Sequence, residues 1–391
     1  MIDTSLREAA RALGDETVQT RRDFHQHPEI AFEEVRTSAI IAERLEALGL
    51  EVRREVGETG VVALLDSGKP GKMVLARADI DALPIHDEKT APYRSTVDGK
   101  MHACGHDGHA AVLLSVAKLL SERSDLSGKV VFIFQPAEEI VGGARAMLAD
   151  GALDGLEPAH SVGLHLSSQF PTGTVAVRSG PSMAATDSFR LVVSGKGGHA
   201  ARPHESVDPV LIAAHLITGL QSLVSRESDP LDNAVISLTS IHGGTAYNII
   251  PENIEIKGTL RTFLPETRRF LQGRIERFSG DLARSMRGAA GLEWITQSPA
   301  VVNDDAMTER LRSVAKEVVG EEGLLVAPPI MGGDDMALWL QRAPGCYFFV
   351  GARDEAKGAH YAHHHPKFDL DEDALPVAVE VLTRGVLEFL R

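Results

Sequence analysis

The sequence predicts an α/β protein in which a mostly parallel sheet flanked by helices is interrupted by a β-α-β-β-α-β insertion. Three observations carry this. Short apolar runs bounded by Gly, Pro and Asp alternate with helical periodicity from Val61 to Leu166, the pattern of right-handed strand-helix-strand crossovers. From about Thr186 the order becomes strand, helix, strand, strand, helix, strand, and after Gln297 the earlier alternation resumes. A chain of 391 residues, at roughly 100 to 200 per domain, also fits two domains better than one.

Ile40, Ile41, Leu45 and Leu48 recur at helical spacing over Arg36 to Leu48, and Gly49 supplies a left-handed cap. Val61 to Leu65 and Met73 to Ala76 are short and continuously apolar, as buried strands are. A helix from about Asp107 to Leu120, a strand from Val130 to Phe134, a helix near Ala144 to Leu148 and a strand from Ser161 to Leu166 continue the alternation. The insertion reads as strand Phe189 to Val193, helix Val207 to Val224, strands Val235 to Ile241 and Ile254 to Phe263, helix Glu266 to Arg284 and strand Leu292 to Thr296. That split arrangement is ferredoxin-like and closes its own sheet. Helix Met307 to Val319, a short helix after Gly333, strand Cys346 to Val350 and a helix from about Glu372 to Leu390 follow. The expected domains are 1–183 with 298–391, discontinuous, and 184–297, inserted, with hinges at Gly173 to Pro181 and Gln297 to Val302.

Lys and Arg total 40 against 55 for Asp and Glu, a formal net charge of −15 with no basic run, so nucleic acid and anionic membranes are expected to be repelled. No apolar stretch reaches the roughly 18 residues of a spanning helix. Residues Met1 to Glu8 carry acids and lack the apolar block of a secretory signal, and Cys104 and Cys346 are too few for a disulfide framework. A cytoplasmic location is expected.

The densest chemistry lies in Met101-His102-Ala103-Cys104-Gly105-His106-Asp107-Gly108-His109, three histidines and a thiol ahead of a helix, where ligands gather in open α/β sheets. In an extended segment Cys104 and His106 would leave on one face, as paired metal ligands require. Strand Val130 to Phe134 runs into Gln135-Pro136-Ala137-Glu138-Glu139. Adjacent carboxylates in extended chain point to opposite sides, so one would ligate metal while its neighbour takes protons from water. Without a metal the pair is simply acid at a helix start. His165 closes another apolar strand, and His363, His364 and His365 form a run before Pro366. Cys104, His106, Glu139, His165 and one of His363 to His365 exceed the four ligands of a single zinc, so two ions are expected.

Ala78-Asp79-Ile80-Asp81-Ala82-Leu83-Pro84, Met101 to Asp107, Phe134 to Glu139, Gly163-Leu164-His165 and His364-His365-Pro366, in this order, resemble the aminoacylase and carboxypeptidase metallohydrolases. More narrowly they resemble the branch of hippurate hydrolases, bacterial N-acyl-L-amino-acid amidohydrolases and plant auxin-conjugate hydrolases. The resemblance implies metal ligation by Cys104, His106, Glu139, His165 and His364, with Glu138 as general base and Asp81 orienting a ligand. In the insertion it implies that His199 reaches the scissile carbonyl, often from a partner subunit, and that Asn248 and Arg261 hold the substrate carboxylate. One departure is Met331-Gly332-Gly333-Asp334-Asp335-Met336, where relatives carry Gly-Glu-Asp and an aromatic, which bears on the pocket and not on the reaction.

The expected reaction is hydrolysis of the amide of an N-acyl amino acid, with two divalent ions, zinc or manganese first and cobalt or nickel as further options. The inserted domain is expected to act as lid and dimerisation element of a homodimer or higher assembly. The rival readings are a carboxypeptidase or dipeptidase with the same metal apparatus and a non-catalytic metal-dependent binding protein. A serine hydrolase is excluded, since no G-x-S-x-G elbow is present.

Overall fold

Two compact units make up the chain, and the computed structural model describes residues 4–391. Met183–Val301 with Pro329–Asp334 forms the second unit, and the rest of the described chain forms the first. The first is organised on an eight-stranded sheet. Its first six strands are β1 (Glu51–Val56), β2 (Gly60–Asp66), β3 (Met73–Asp79), β4 (Lys129–Gln135), β5 (His160–Pro171) and β6 (Val175–Val177). Strands Leu324–Val326 and Gly345–Arg353 complete it, in the spatial order β1, β2, β4, β3, β5, Gly345–Arg353, β6, Leu324–Val326.

The sheet is mixed, with the expected parallel majority, four of its seven strand pairs, joined by three antiparallel ones. The β4–β3, β3–β5, β5 to Gly345–Arg353 and β6 to Leu324–Val326 pairs are parallel, whereas β1–β2, β2–β4 and β6 to Gly345–Arg353 are antiparallel. The reason is loop length. Only Gly57, Glu58 and Thr59 join β1 to β2, too few for a crossover, so a hairpin is forced. Charged Glu51, Arg53, Arg54 and Glu55 make β1 an edge strand that an apolar-run search passes over.

β3, β4 and β5 lie side by side, and their register puts the site at one level. Asp79 pairs with Gln135 and Arg77 with Gly163, so β3 and β4 end where β5 presents His165. His165 therefore stands within its strand, not at its end as expected. Helix His106–Ser121 is buried nearly all round because β3 lies on one side while helices Gly14–Gln26 and Ala374–Leu390 cover it elsewhere.

Two helices precede the first expected one: Thr4–Ala12, where Leu6, Ala9 and Ala10 recur at helical spacing, and Gly14–Gln26, which has no such apolar stripe. The second buries Thr17, Thr20, Arg21 and His25 beside Phe24, so its inner face is largely polar. Each polar group is satisfied: the Thr17 hydroxyl lies 2.7 Å from that of Ser115, and Arg21 Nε and His25 Nδ1 contact Asp107 Oδ2 at 2.9 and 2.7 Å.

The second unit has a four-stranded antiparallel sheet in the order Ala234–His242, Asn253–Thr262, Ala185–Ser194, Ala289–Ser298. Burial alternates along Ala185–Ser194 and Asn253–Thr262, as in a sheet with one covered face. Helices Pro209–Ser222 and Pro265–Ser285 supply that cover through Ile212, Leu216, Leu220, Leu271 and Ile275. Asp208 caps the first helix, accepting from the Val210 and Leu211 N–H groups. Residues Pro329–Asp334, expected with the outer domain, group here through the Ala184 N–H, which donates to the Ile330 and Gly332 carbonyls.

Candidate metal centre

Cys104 and His106 converge through a turn, not through extended chain. Gly105 has φ +94, and a Cβ there would press on Leu370, so this left-handed position requires glycine. His106 then opens helix His106–Ser121. Its Nδ1 faces the Asp81 carbonyl at 2.9 Å and Asp81 Oδ1 at 3.1 Å, which leaves the lone pair on Nε2. His165 is held likewise, with Nδ1 donating to the Leu166 carbonyl at 2.8 Å and Nε2 3.6 Å from Cys104 Sγ. Burial keeps its pKa well below the usual imidazole range, so it is a neutral donor atom.

The carboxylate pair also departs from extended geometry. Ala137 has φ +51, and this reversal brings Glu138 and Glu139 to the same side, each with a carboxylate oxygen 3.9 Å from His106 Nε2. Asp81 binds twice: its Oδ1 faces His106 while its Oδ2 accepts from the Glu139 N–H at 3.0 Å. Asp81 therefore contacts two of the predicted ligands. His364 Nε2 lies 3.3 Å from Glu139 Oε2.

Cys104, His106 and His165 bring ligand atoms together, as do Cys104, Glu139 and His364, and His106, Glu138 and Glu139. His106 Nε2 and Glu139 Oε1 are buried with no hydrogen-bond partner, a costly state that a bound cation relieves. The charge balance agrees. Burial opposes protonation of His106, yet Asp79, the Cys104 sulfur and Asp81 hold its pKa well above normal, so the cluster demands positive charge. Burial pushes the Cys104 thiol up, and Glu139 adds to this, while His106 and His364 pull it down. The donor set of thiol, imidazoles and carboxylate fits divalent transition ions.

Several further residues, some named above without a settled place, support the cluster. His363, beside the chosen His364, has Nδ1 3.7 Å from Cys104 Sγ and Nε2 accepting from the Ser168 N–H at 3.4 Å. Buried Arg77 donates to Gln135 Oε1 at 2.9 Å, Asp79 Oδ2 at 2.7 Å and Asp335 Oδ1 at 3.1 Å, and Asp335 Oδ2 accepts from the Ala144 N–H at 2.9 Å. Asp335 thus ties the ends of β3 and β4 to helix Gly143–Ala149. Met336 is fully buried, and its sulfur packs where a Cβ on Gly163 would lie.

In the second unit His199 is exposed and its Nδ1 accepts from the Ala201 N–H at 3.0 Å, which puts the ring proton of the neutral form on Nε2. Asn248 is its neighbour: His199 pairs with Ile249, and the Asn248 carbonyl accepts from the Ala200 N–H at 3.0 Å. Arg261 is placed elsewhere. It pairs with Thr186 at the start of strand Ala185–Ser194, whereas the ladder reaches His199 by continuing past the other end, Ser194 with Asn253. Eight residues of strand separate those ends, roughly 26 Å. The half-buried Arg261 guanidinium makes one hydrogen bond, to the Leu260 carbonyl at 3.3 Å, and meets no carboxylate within bonding distance among the described residues.

The family model of peptidase family M20/M25/M40 matches residues 75–388, which include every residue of this cluster. The chain belongs to that family. It is 40% identical over 375 residues to the N-acetylcysteine deacetylase of Bacillus subtilis (strain 168), covering 95% of this chain and 96% of that protein. Thermostable carboxypeptidase 1 of Saccharolobus solfataricus is 38% identical over 95% of this chain and 94% of its own length. A crystal structure of the Bacillus subtilis YXEP protein, described as a dinuclear metal binding peptidase from the M20 family, is 36% identical. It covers 97% of this chain and 99% of that one with a TM-score of 0.83. The M20/M25/M40 chain is accordingly a hydrolase with a candidate metal centre. No helix among its described residues is long and apolar enough to cross a membrane.

Proposed function

We propose that this protein is a two-metal amidohydrolase that cleaves N-acyl amino acids to a carboxylic acid and a free amino acid. The observation that carries the reading is the convergence of Cys104, His106, Glu139, His165 and His364 around two buried atoms without partners, His106 Nε2 and Glu139 Oε1. Those five residues would hold the ions. Bound divalent cations supply Lewis acidity, easing ionisation of water and polarising the amide carbonyl. The mixed soft and hard donor set favours zinc or manganese, with cobalt or nickel as further options.

Glu138, beside the cluster and not needed to complete it, takes a proton from the attacking water and returns it to the leaving nitrogen. His199 Nε2–H steadies the oxygen that gains charge. Arg261, a guanidinium without a carboxylate partner, is suited to the carboxylate of the amino acid product, with Asn248 as a neutral donor. The separation of Arg261 from the His199 and Asn248 pair means that one small substrate cannot touch both ends of the sheet in one chain. We therefore assign His199 and Asn248 to a partner copy's site, with the ferredoxin-like insertion 184–297 as lid and dimerisation domain and 1–183 with 298–391 as the metal-binding domain. The working location is the cytoplasm, and the partner is a small molecule, neither nucleic acid nor membrane.

The Saccharolobus carboxypeptidase supports a second reading, cleavage of a C-terminal residue from peptides. Both are tested by stripping the protein of metal, restoring one ion at a time and assaying acetyl, benzoyl and indole-acetyl amino acids beside dipeptides. Turnover of the acyl amino acids is expected. Hydrolysis of the peptides alone overturns the first reading in favour of the second.

A further inference from the structure

Glu34 is a buried carboxylate far from the cluster in sequence and unused by the chemistry above. It precedes helix Val35–Ala47. Its Oε1 accepts from the Ala137 N–H at 2.9 Å and its Oε2 from the Thr59 hydroxyl at 2.5 Å, while the Thr59 carbonyl accepts from Ser38 in the same helix. Ala137 is the residue at φ +51 whose reversal turns Glu138 and Glu139 to one side. Its carbonyl accepts from the Gly142 and Gly143 N–H groups, both at 3.1 Å. Two residues on, the Glu139 N–H goes to Asp81 Oδ2. The backbone N–H groups on either side of Glu138 are thus each taken by a carboxylate from a distant segment. A left-handed alanine is unfavourable by itself and persists only where its surroundings determine it.

We propose that Glu34 is a positioning residue: by accepting the Ala137 N–H it fixes the reversed turn that presents Glu138 as base and Glu139 as ligand. This rests on the roles given to those two residues under the proposed function. What matters is an acceptor at Oε1, anchored through Thr59, so Gln is a functional replacement and Ala is not.

The test compares Glu34→Ala, Glu34→Gln and Thr59→Val with the wild type in zinc affinity, by competition with a chromophoric chelator, and in kcat and KM on an N-acetyl amino acid. Glu34→Ala is expected to weaken zinc and lower kcat by about tenfold or more, with KM changed less than about threefold. Glu34→Gln is expected to stay within about threefold of wild type, and Thr59→Val to fall between the two. Retention of zinc affinity and kcat within about twofold by Glu34→Ala overturns the proposal. So does a Glu34→Gln loss equal to that of Glu34→Ala, since a structural carboxylate gives no such rescue. Should Glu34→Ala not fold, zinc binding by Thr59→Val indistinguishable from wild type overturns it. A wild type that binds zinc and turns over no acyl amino acid defeats the functional reading alone, and the zinc comparison still decides the role of Glu34.

Discussion

Asp79 Oδ1 and His109 Nδ1 lie 2.6 Å apart, both residues buried, and the far nitrogen of that histidine accepts the Leu166 N–H at 2.9 Å. Asp79 fixes the tautomer that His109 needs to hold the strand next to His165. Asp79→Asn is expected to weaken metal binding by about 10- to 100-fold. It also removes one of the two buried carboxylates that Arg77 contacts, Asp335 being the other, for a loss of about 1–3 kcal/mol. Metal content after gel filtration and thermal melts would show both effects, and an unchanged melt would contradict the second.

Glu138→Gln keeps the shape of the side chain and removes the proton acceptor. Turnover is expected to fall by about 100-fold or more while zinc binding persists. If the variant turns over at the wild-type rate, the base lies elsewhere.

His199→Ala and Glu138→Gln chains should complement each other when mixed under conditions of subunit exchange. A hybrid dimer has one site with an intact Glu138 and a His199 from the partner copy, so about one quarter of wild-type activity is expected at equal mixing. Activity no higher than that of the separate variants would place His199 in its own chain's site.

Burial pushes the Glu34 carboxyl from its usual 4.5 up to about 7, with Asp81 adding to the rise and the Thr59 and Ala137 bonds opposing it. The folded pKa is raised, so the stabilising contribution is complete below about pH 4.5 and is lost as pH rises through about 7. Glu34→Gln cannot ionise. Its stability relative to wild type should therefore improve between pH 5 and 8, by on the order of 3 kcal/mol at most. Parallel melting profiles across that interval would refute the shift.

Asp187 is fully buried in the second unit and receives two hydrogen bonds from Arg268, at 2.9 and 2.6 Å. Arg268→Met leaves that carboxylate unpaired and should cost about 3 kcal/mol or more, read by denaturant unfolding. Asp187→Asn in the same background should recover part of the loss.

The inner strands of the first unit were legible as continuous apolar runs, and the second unit's strands and the long helices as alternating or spaced ones; of the five predicted ligands, Cys104, His106 and Glu139 follow β3 and β4 while His165 stands within β5. What was not legible is local backbone reversal. Extended geometry was expected at Cys104 to His106 and at Glu138 to Glu139, but Gly105 and Ala137 take positive φ and produce convergence by another route. Glycine hints at the first, whereas nothing about an alanine announces the second. Helix Gly14–Gln26 was missed because its inner face is satisfied by hydrogen bonds to Ser115 and Asp107, contacts that no periodicity encodes. Glu34 escaped notice for the same reason, its partner being remote in the chain.

Strand Gly345–Arg353 lies between β5 and β6, so an interior place in the sheet is filled by a segment far along the chain from both neighbours. Without it β5 has one bare edge and β6 has no neighbour on that side, an invitation to pair with other chains. A chain cut before Gly345 would therefore be a sticky fragment, with both strands open to the wrong partner.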